Sequence, residues 1–303
     1  MRKILLSALL AGCTALAVSA AAKSEPQLLR VSYHSPTLNA ERDYFVYLPP
    51  GFEAQDKWPV ILFLHGNGER GDGKGELDYV LKHGPLFEAW CQKKDLPFVI
   101  ISPQMPMQDQ GDVDYIKNRK RAEIPTRHAD GTTDPRPFFP RNKNPLDGQL
   151  SEEITGRRAD PEASKNGWNT MAADVMANLD QVLAKYKGDP KRVYLTGISL
   201  GGFGTWYLAA KHPEKFAAIA PVVGYGVPAQ AAALANPPMP MWVFAGGRDN
   251  GVKVRFFYPL LNELEKLGHP EVRFTIEADM DHDAWIRVYM GQDLYDWFLT
   301  KSK

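Results

Sequence analysis

The sequence predicts an α/β domain, a mostly parallel central sheet with antiparallel N-terminal edge strands and helices on both faces. Three observations predict it. Residues 59–64, 98–102 and 241–245 are short, almost continuously apolar runs, the pattern of strands buried on both faces. Between the second and third runs, Met171, Val175, Leu179, Val182 and Leu183 recur at helical spacing, so strands alternate with amphipathic helices. Residues 193–206 pass from an apolar run to a helix-like run through Gly197-Ile198-Ser199-Leu200-Gly201.

The composition is ordinary and globular, 44% hydrophobic and 24% charged over 303 residues, and supports one domain from residue 23 to 303. The formal net charge is +0, which leaves no global field to attract nucleic acid or an anionic membrane. Residues 1–22 open with Arg2-Lys3, continue apolar and end in small residues. They predict a secretory signal peptide, an exported (periplasmic or secreted) protein and no integral membrane segment after processing. Cleavage is expected near 18–22; the competing reading is a lipobox at Leu10-Ala11-Gly12-Cys13, with Cys13 acylated. Once Cys13 is removed, Cys91 has no partner for a disulfide and reads as a small apolar filler.

In chain order, residues 30–33 and 43–48 alternate as antiparallel edge strands do. The strand at 59–64 runs into His65-Gly66-Asn67-Gly68-Glu69-Arg70-Gly71, a glycine-rich exit loop where Asn67 is the candidate for a backbone oxyanion donor and His65 reads as structural. A helical stretch is expected around 76–93, then the strand at 98–102. Regular periodicity fails over about 105–166, which reads as an inserted loop or lid bordering the site. Within it Lys117, Arg119, Lys120 and Arg121 read as a solvated charged face in preference to an anion site. Helix, elbow, helix to His212, and strands near 216–222, 241–245 and 271–276 complete the pattern, with a helix over 254–267.

Gly-x-Ser-x-Gly between a strand and a helix is the pattern of a nucleophile elbow. The turn exposes the Ser199 hydroxyl, and the helix after it directs free N–H groups, that of Leu200 first, toward an oxyanion. A base and an orienting acid should follow on loops after later strands. Asp249 follows the run 241–245, and His282 lies in Ala278-Asp279-Met280-Asp281-His282-Asp283-Ala284-Trp285, whereas His212 and His269 stand beside prolines and read as structural. The carboxylates at 279, 281 and 283 raise two alternatives, a cation loop or another acid partner for His282. A cation loop wants a central glycine that is absent here. Ser199 as nucleophile, His282 as general base, Asp249 as its orienter and Leu200 with Asn67 as oxyanion donors need no metal and no cofactor.

With those residues identified, the chain from about Tyr44 to Phe298 resembles the α/β-hydrolase superfamily. It is similar in particular to the exported bacterial prolyl-oligopeptidase-like peptidases, related to dienelactone-hydrolase-like and feruloyl-esterase-like proteins. The segments 62–71, 192–206 and 282–285 carry the resemblance. It implies an α/β-hydrolase fold with Ser199, Asp249 and His282 as triad and hydrolysis of carboxylic esters, with peptides as the alternative. An exported esterase of this type is expected to take small-molecule or polysaccharide esters, acetyl or feruloyl. The alternative from another class is a carbohydrate- or lipid-binding module on a hydrolase scaffold.

Overall fold

The computed structural model describes residues 24–130 and 164–303; the expected leader at 1–22 and most of the expected insertion lie outside them. Among these residues the strands are β1 (Gln27–Ser35), β2 (Ala40–Leu48), β3 (Trp58–Leu64), β4 (Val99–Ser102), β5 (Gly188–Ile198), β6 (Ala218–Val222), β7 (Met241–Gly246) and β8 (Val272–Glu277). They form one sheet in the order β1-β2-β4-β3-β5-β6-β7-β8. β1 pairs antiparallel with β2 and β2 with β4, and every later pairing is parallel. This is the α/β class the sequence predicts, except that β2 is internal. Its residues 42–48 are buried, and of the two expected edge strands only β1 lies at an edge of the sheet.

From β3 the chain moves outward to β4, then returns across β3 to β5 and moves the other way. The loops after β3 and β5 therefore leave neighbouring strand ends at a topological switch point, where a crevice opens beyond the carboxyl ends of the strands. Leu64 pairs with Gly197 and Ile198 with Val222, so the candidate oxyanion loop and the candidate elbow begin side by side.

Among the described residues the α-helices are α1 (Asp114–Lys117), α2 (Ala172–Lys185), α3 (Leu200–Lys211), α4 (Ala231–Ala235), α5 (Tyr258–Lys266), α6 (Trp285–Met290) and α7 (Asp293–Leu299). Strand side chains alternate between two cores, as a pleat requires. Val60, Leu62, Leu64, Val193 and Leu195 pack with Val175, Leu179 and Val182 of α2, Trp206 of α3 and Leu260 of α5. Ile61, Phe63, Tyr194 and Ile198 pack on the opposite face with Leu77, Val80, Val288 of α6 and Phe298 of α7. None of the described helices is long and apolar enough to cross a membrane.

Two expected helices form differently. Residues 77–82 make a 3₁₀ turn and 87–91 a π turn in place of one helix over 76–93. Gly84, at φ 86, separates them. The ring of Phe63 lies 2.2 Å from where a Cβ on Gly84 would sit, so the chain bends there to let the ring in. The expected helix 254–267 begins as a 3₁₀ turn, with α5 proper starting at Tyr258. Cys91 is buried and free, and burial raises its thiol to about 12, the state of a packing residue.

Gly84→Ala combines a left-handed backbone with a clash in the core. It should lower unfolding free energy by about 3 kcal/mol, whereas Gly268→Ala, at φ 71 with nothing within 4 Å of its added carbon, should cost about 1 kcal/mol. Urea denaturation of the two variants measures the difference.

Candidate active site

Ser199 sits between β5 and α3 with φ 51 and ψ −112, a region that costs a non-glycine residue about 1–3 kcal/mol and is held only where its surroundings enforce it. The enforcing contacts are backbone to backbone. A Cβ on Gly201 would lie 1.8 Å from the Leu64 carbonyl oxygen, and one on Gly197 would lie 2.4 Å from the Gly201 carbonyl oxygen. The Ser199 N–H donates to the Val222 carbonyl at 3.0 Å, and Val223, next in the chain, also carries a positive φ of 46. The Gly201–Leu64 contact presses the first turn of α3 against the end of β3.

His282 Nε2 lies 2.9 Å from Ser199 Oγ, and His282 Nδ1 lies 2.6 Å from Asp249 Oδ2. Asp249 comes from the loop after β7 and His282 from the loop after β8. Its other oxygen, Oδ1, accepts the N–H groups of Gly251 and Val252, each at 2.8 Å. Burial would raise this carboxyl, but the His282 ring and those two N–H groups outweigh it and hold Asp249 below the ordinary carboxylate range. Asp249 therefore stays ionised and fixes a proton on Nδ1, leaving Nε2 to accept from the serine hydroxyl.

Asp281, Asp279 and Glu277, around the His282 loop, have other partners. The Asp281 side chain accepts the backbone N–H of His282 at 2.7 Å. Asp279 binds Arg287 of α6 through both oxygens, at 2.7 and 2.8 Å, and Glu277 at the end of β8 accepts from the same guanidinium at 3.0 Å. Arg287 is 6% exposed and clamps the two stems of the loop. No group of three or more His, Cys, Asp or Glu suited to a metal occurs among the described residues.

The 65–71 loop is fixed by its carbonyls. Gly68 O accepts from Arg119 Nη1 at 3.0 Å, Arg70 O from the same nitrogen at 2.5 Å, Glu69 O from Gln104 Nε2 at 2.8 Å and Gly71 O from Arg42 Nη2 at 3.3 Å. With these oxygens engaged, the peptide planes cannot turn over. The Asn67 side chain accepts from Arg70 Nε at 2.6 Å and donates to the Tyr115 hydroxyl at 2.8 Å. The Arg70 guanidinium reaches on to Pro106 O and Asn166 O. His65 is fully buried; its Nε2 accepts the Met105 N–H at 2.9 Å and its Nδ1 donates to Gly66 O at 2.6 Å. Burial drives its imidazole down to about 3, so it is a structural residue, as the sequence suggests.

Arg119 corrects the reading of 117–121 as a solvated face. Its side chain is 6% exposed, stacks over Tyr79 at 3.9 Å and pairs with Glu76 at 2.7 Å. An arginine amid Lys117, Lys120 and Arg121 gives no sequence signal of this, because its acceptors are backbone oxygens some fifty positions upstream. Lys117 and Arg121 remain at the surface.

This sheet, with a strained serine after β5 and acid and base after β7 and β8, is the α/β-hydrolase fold. The model of the prolyl oligopeptidase family matches residues 162–227. Poly(3-hydroxyalkanoate) depolymerase C of Paucimonas lemoignei is 42% identical over 53 residues, 18% of this chain and 13% of the depolymerase. A bifunctional acetylxylan esterase/xylanase of Neocallimastix patriciarum is 38% identical over 72 residues, 24% of this chain and 10% of that protein. The chain thus matches a small part of each relative. Among solved structures, a thermostable esterase superposes with TM-score 0.58 at 23% identity, over 91% of this chain and 63% of its own.

Replacing Asp249 by Asn should lower kcat about 10⁴-fold on any ester the protein cleaves, by favouring the wrong His282 tautomer. Replacing Arg119 by Met, which keeps the stem but frees two loop carbonyls, should lower kcat about tenfold with KM within twofold, since the loop's donors would act mainly on the transition state. Steady-state kinetics on a p-nitrophenyl ester tests both.

Proposed function

We propose that the protein is an exported serine hydrolase that cleaves carboxylic esters through an acyl-enzyme. The observation that carries this reading is the hydrogen-bonded string Ser199 Oγ, His282 Nε2, His282 Nδ1, Asp249 Oδ2 at 2.9 and 2.6 Å. In the proposed cycle Ser199 Oγ attacks the ester carbonyl while His282 takes its proton. The N–H groups of Leu200 and Asn67 hold the oxyanion, and Asp249 stabilises the imidazolium. His282 then protonates the leaving alkoxide, and a water, activated in turn by His282, releases the acid.

For the alcohol portion we favour a polysaccharide carrying acetyl or feruloyl groups. Tyr115, 61% exposed, stands over Gly68 with its hydroxyl on Asn67, and Asn67 also reaches Gln110, which is linked through Asp109 to Asn166, a mixture of aromatic face and polar groups that suits a sugar ring. The name of the acetylxylan esterase relative points the same way. The basic start and apolar run of residues 1–22 support export. A second reading, a peptidase, rests on the match of residues 162–227 to the prolyl oligopeptidase family.

The mature protein should release acetate from acetylated xylan or ferulate from methyl ferulate and turn over p-nitrophenyl acetate, with all of these lost in Ser199→Ala. Cleavage of a prolyl peptide without ester turnover would replace the esterase by the peptidase. An intact protein that neither cleaves esters nor reacts with a fluorophosphonate would leave only a binding module.

A further inference from the structure

Glu69 is a buried carboxyl that the proposed cycle does not use. It lies two residues after Asn67, within the candidate oxyanion loop. Its side chain is 6% exposed, and Oε2 has no hydrogen-bond partner. That oxygen is 3.2 Å from where a Cβ on Gly66 would stand, and the same point is 3.5 Å from the side chain of Ile198, the residue before the serine. The carboxyl is therefore packed under the loop beside Gly66, which itself neighbours the root of the elbow.

No cation is dedicated to it. His65 Nδ1 is 3.8 Å away but directs its proton at Gly66 O. His83 Nε2 stands 3.5 Å from Oε1, with its ring against Trp285 at 5.3 Å, and Trp285 meets the His282 ring edge to face at 5.4 Å. Arg119 is engaged by Glu76 and the loop carbonyls, and Lys82 by Glu123. Removing a carboxylate from water with no dedicated cation is expensive, and the group escapes the cost by holding its proton.

Resting on the serine-hydrolase reading, we infer that Glu69 is a positioning residue which supports the 65–71 loop as a neutral acid, and that its ionisation sets the alkaline limit of turnover by opposing the oxyanion. Burial raises the Glu69 carboxyl to about 7, against the lowering pull of Lys82, of the N–H groups of Glu69 and Gly66, and of Arg119. Burial, with Lys82, also holds His83 down to about 4, so the facing histidine offers no compensating charge. The neutral pair keeps the loop free of negative charge. Above about 7 the proton leaves to solvent, and a fixed anion then stands in the loop whose N–H group must hold a second negative charge, that of the substrate's oxyanion.

The same shift has a stability sign. A carboxyl raised in the folded state contributes stability that is complete below its unfolded value and is lost as pH rises through about 7. A purely structural Glu69 would show that effect alone, without any change in the shape of the kcat profile.

The test is kcat against pH from 5.5 to 9 for p-nitrophenyl butyrate, with Ser199→Ala as the blank, in wild type and Glu69→Gln. The wild-type kcat should fall about tenfold as pH rises above 7, while Glu69→Gln, neutral at every pH, should hold its plateau. Superimposable alkaline limbs would overturn the inference while leaving the hydrolase reading intact. Absence of wild-type turnover and of fluorophosphonate labelling would remove both. Should Glu69→Gln not fold, ¹³C-glutamate NMR of the wild type decides. A carboxyl titrating near 7, and moving upward when a trifluoromethyl ketone forms its hemiketal anion on Ser199, supports the inference by reciprocity. No carboxyl titrating above pH 6 overturns it.

Discussion

The contact on which the rest of this structure depends is the meeting of two backbones, Gly201 at the start of α3 and the Leu64 carbonyl at the end of β3. It brings the strand that ends in the 65–71 loop and the strand that ends in Ser199 to a common crevice, and it leaves the serine nowhere to go but an unfavourable φ. Close packing of main chain enforces this, supported by the parallel pairing of β3 with β5 from Val60 and Val193 onward.

Around that contact the molecule uses polar side chains mostly to hold backbone. Arg119, Arg42 and Gln104 engage the carbonyls of the 65–71 loop, Arg287 clamps the stems of the His282 loop, and Asp281 caps the His282 N–H. Only Asp249 and His282 among these loops bring a titratable side chain to the serine. Geometry that must hold to a fraction of an ångström is thus carried by the scaffold, the arrangement electrostatic preorganisation requires.

The legible part of this protein lay where physical demands act locally along the chain. Continuous apolar runs could only be buried strands, and the elbow glycines could only serve a backbone too close for a side chain. Asp249 and His282 were readable because each follows an expected strand, and in the expected order. Arg119 was not, because its acceptors are main-chain oxygens some fifty positions upstream that carry no residue identity, and Arg287 and Glu69 were not, because nothing in their local spacing marks them as buried. The break at Gly84 was hidden for a similar reason, since what forbids a helix there is the ring of Phe63, twenty-one positions upstream.

The bracing of the 65–71 loop bears on modularity. Its braces come from β2, from the end of β4 and from the segment beyond α1, so the loop is not a transferable cassette. The stretch after β4, which looks like an ornament on the domain, contains one of those braces. Exchanging that stretch between homologous hydrolases would exchange part of the support of the candidate oxyanion donors with it. A change in that stretch would therefore reach the backbone of the candidate oxyanion loop, whatever else it altered.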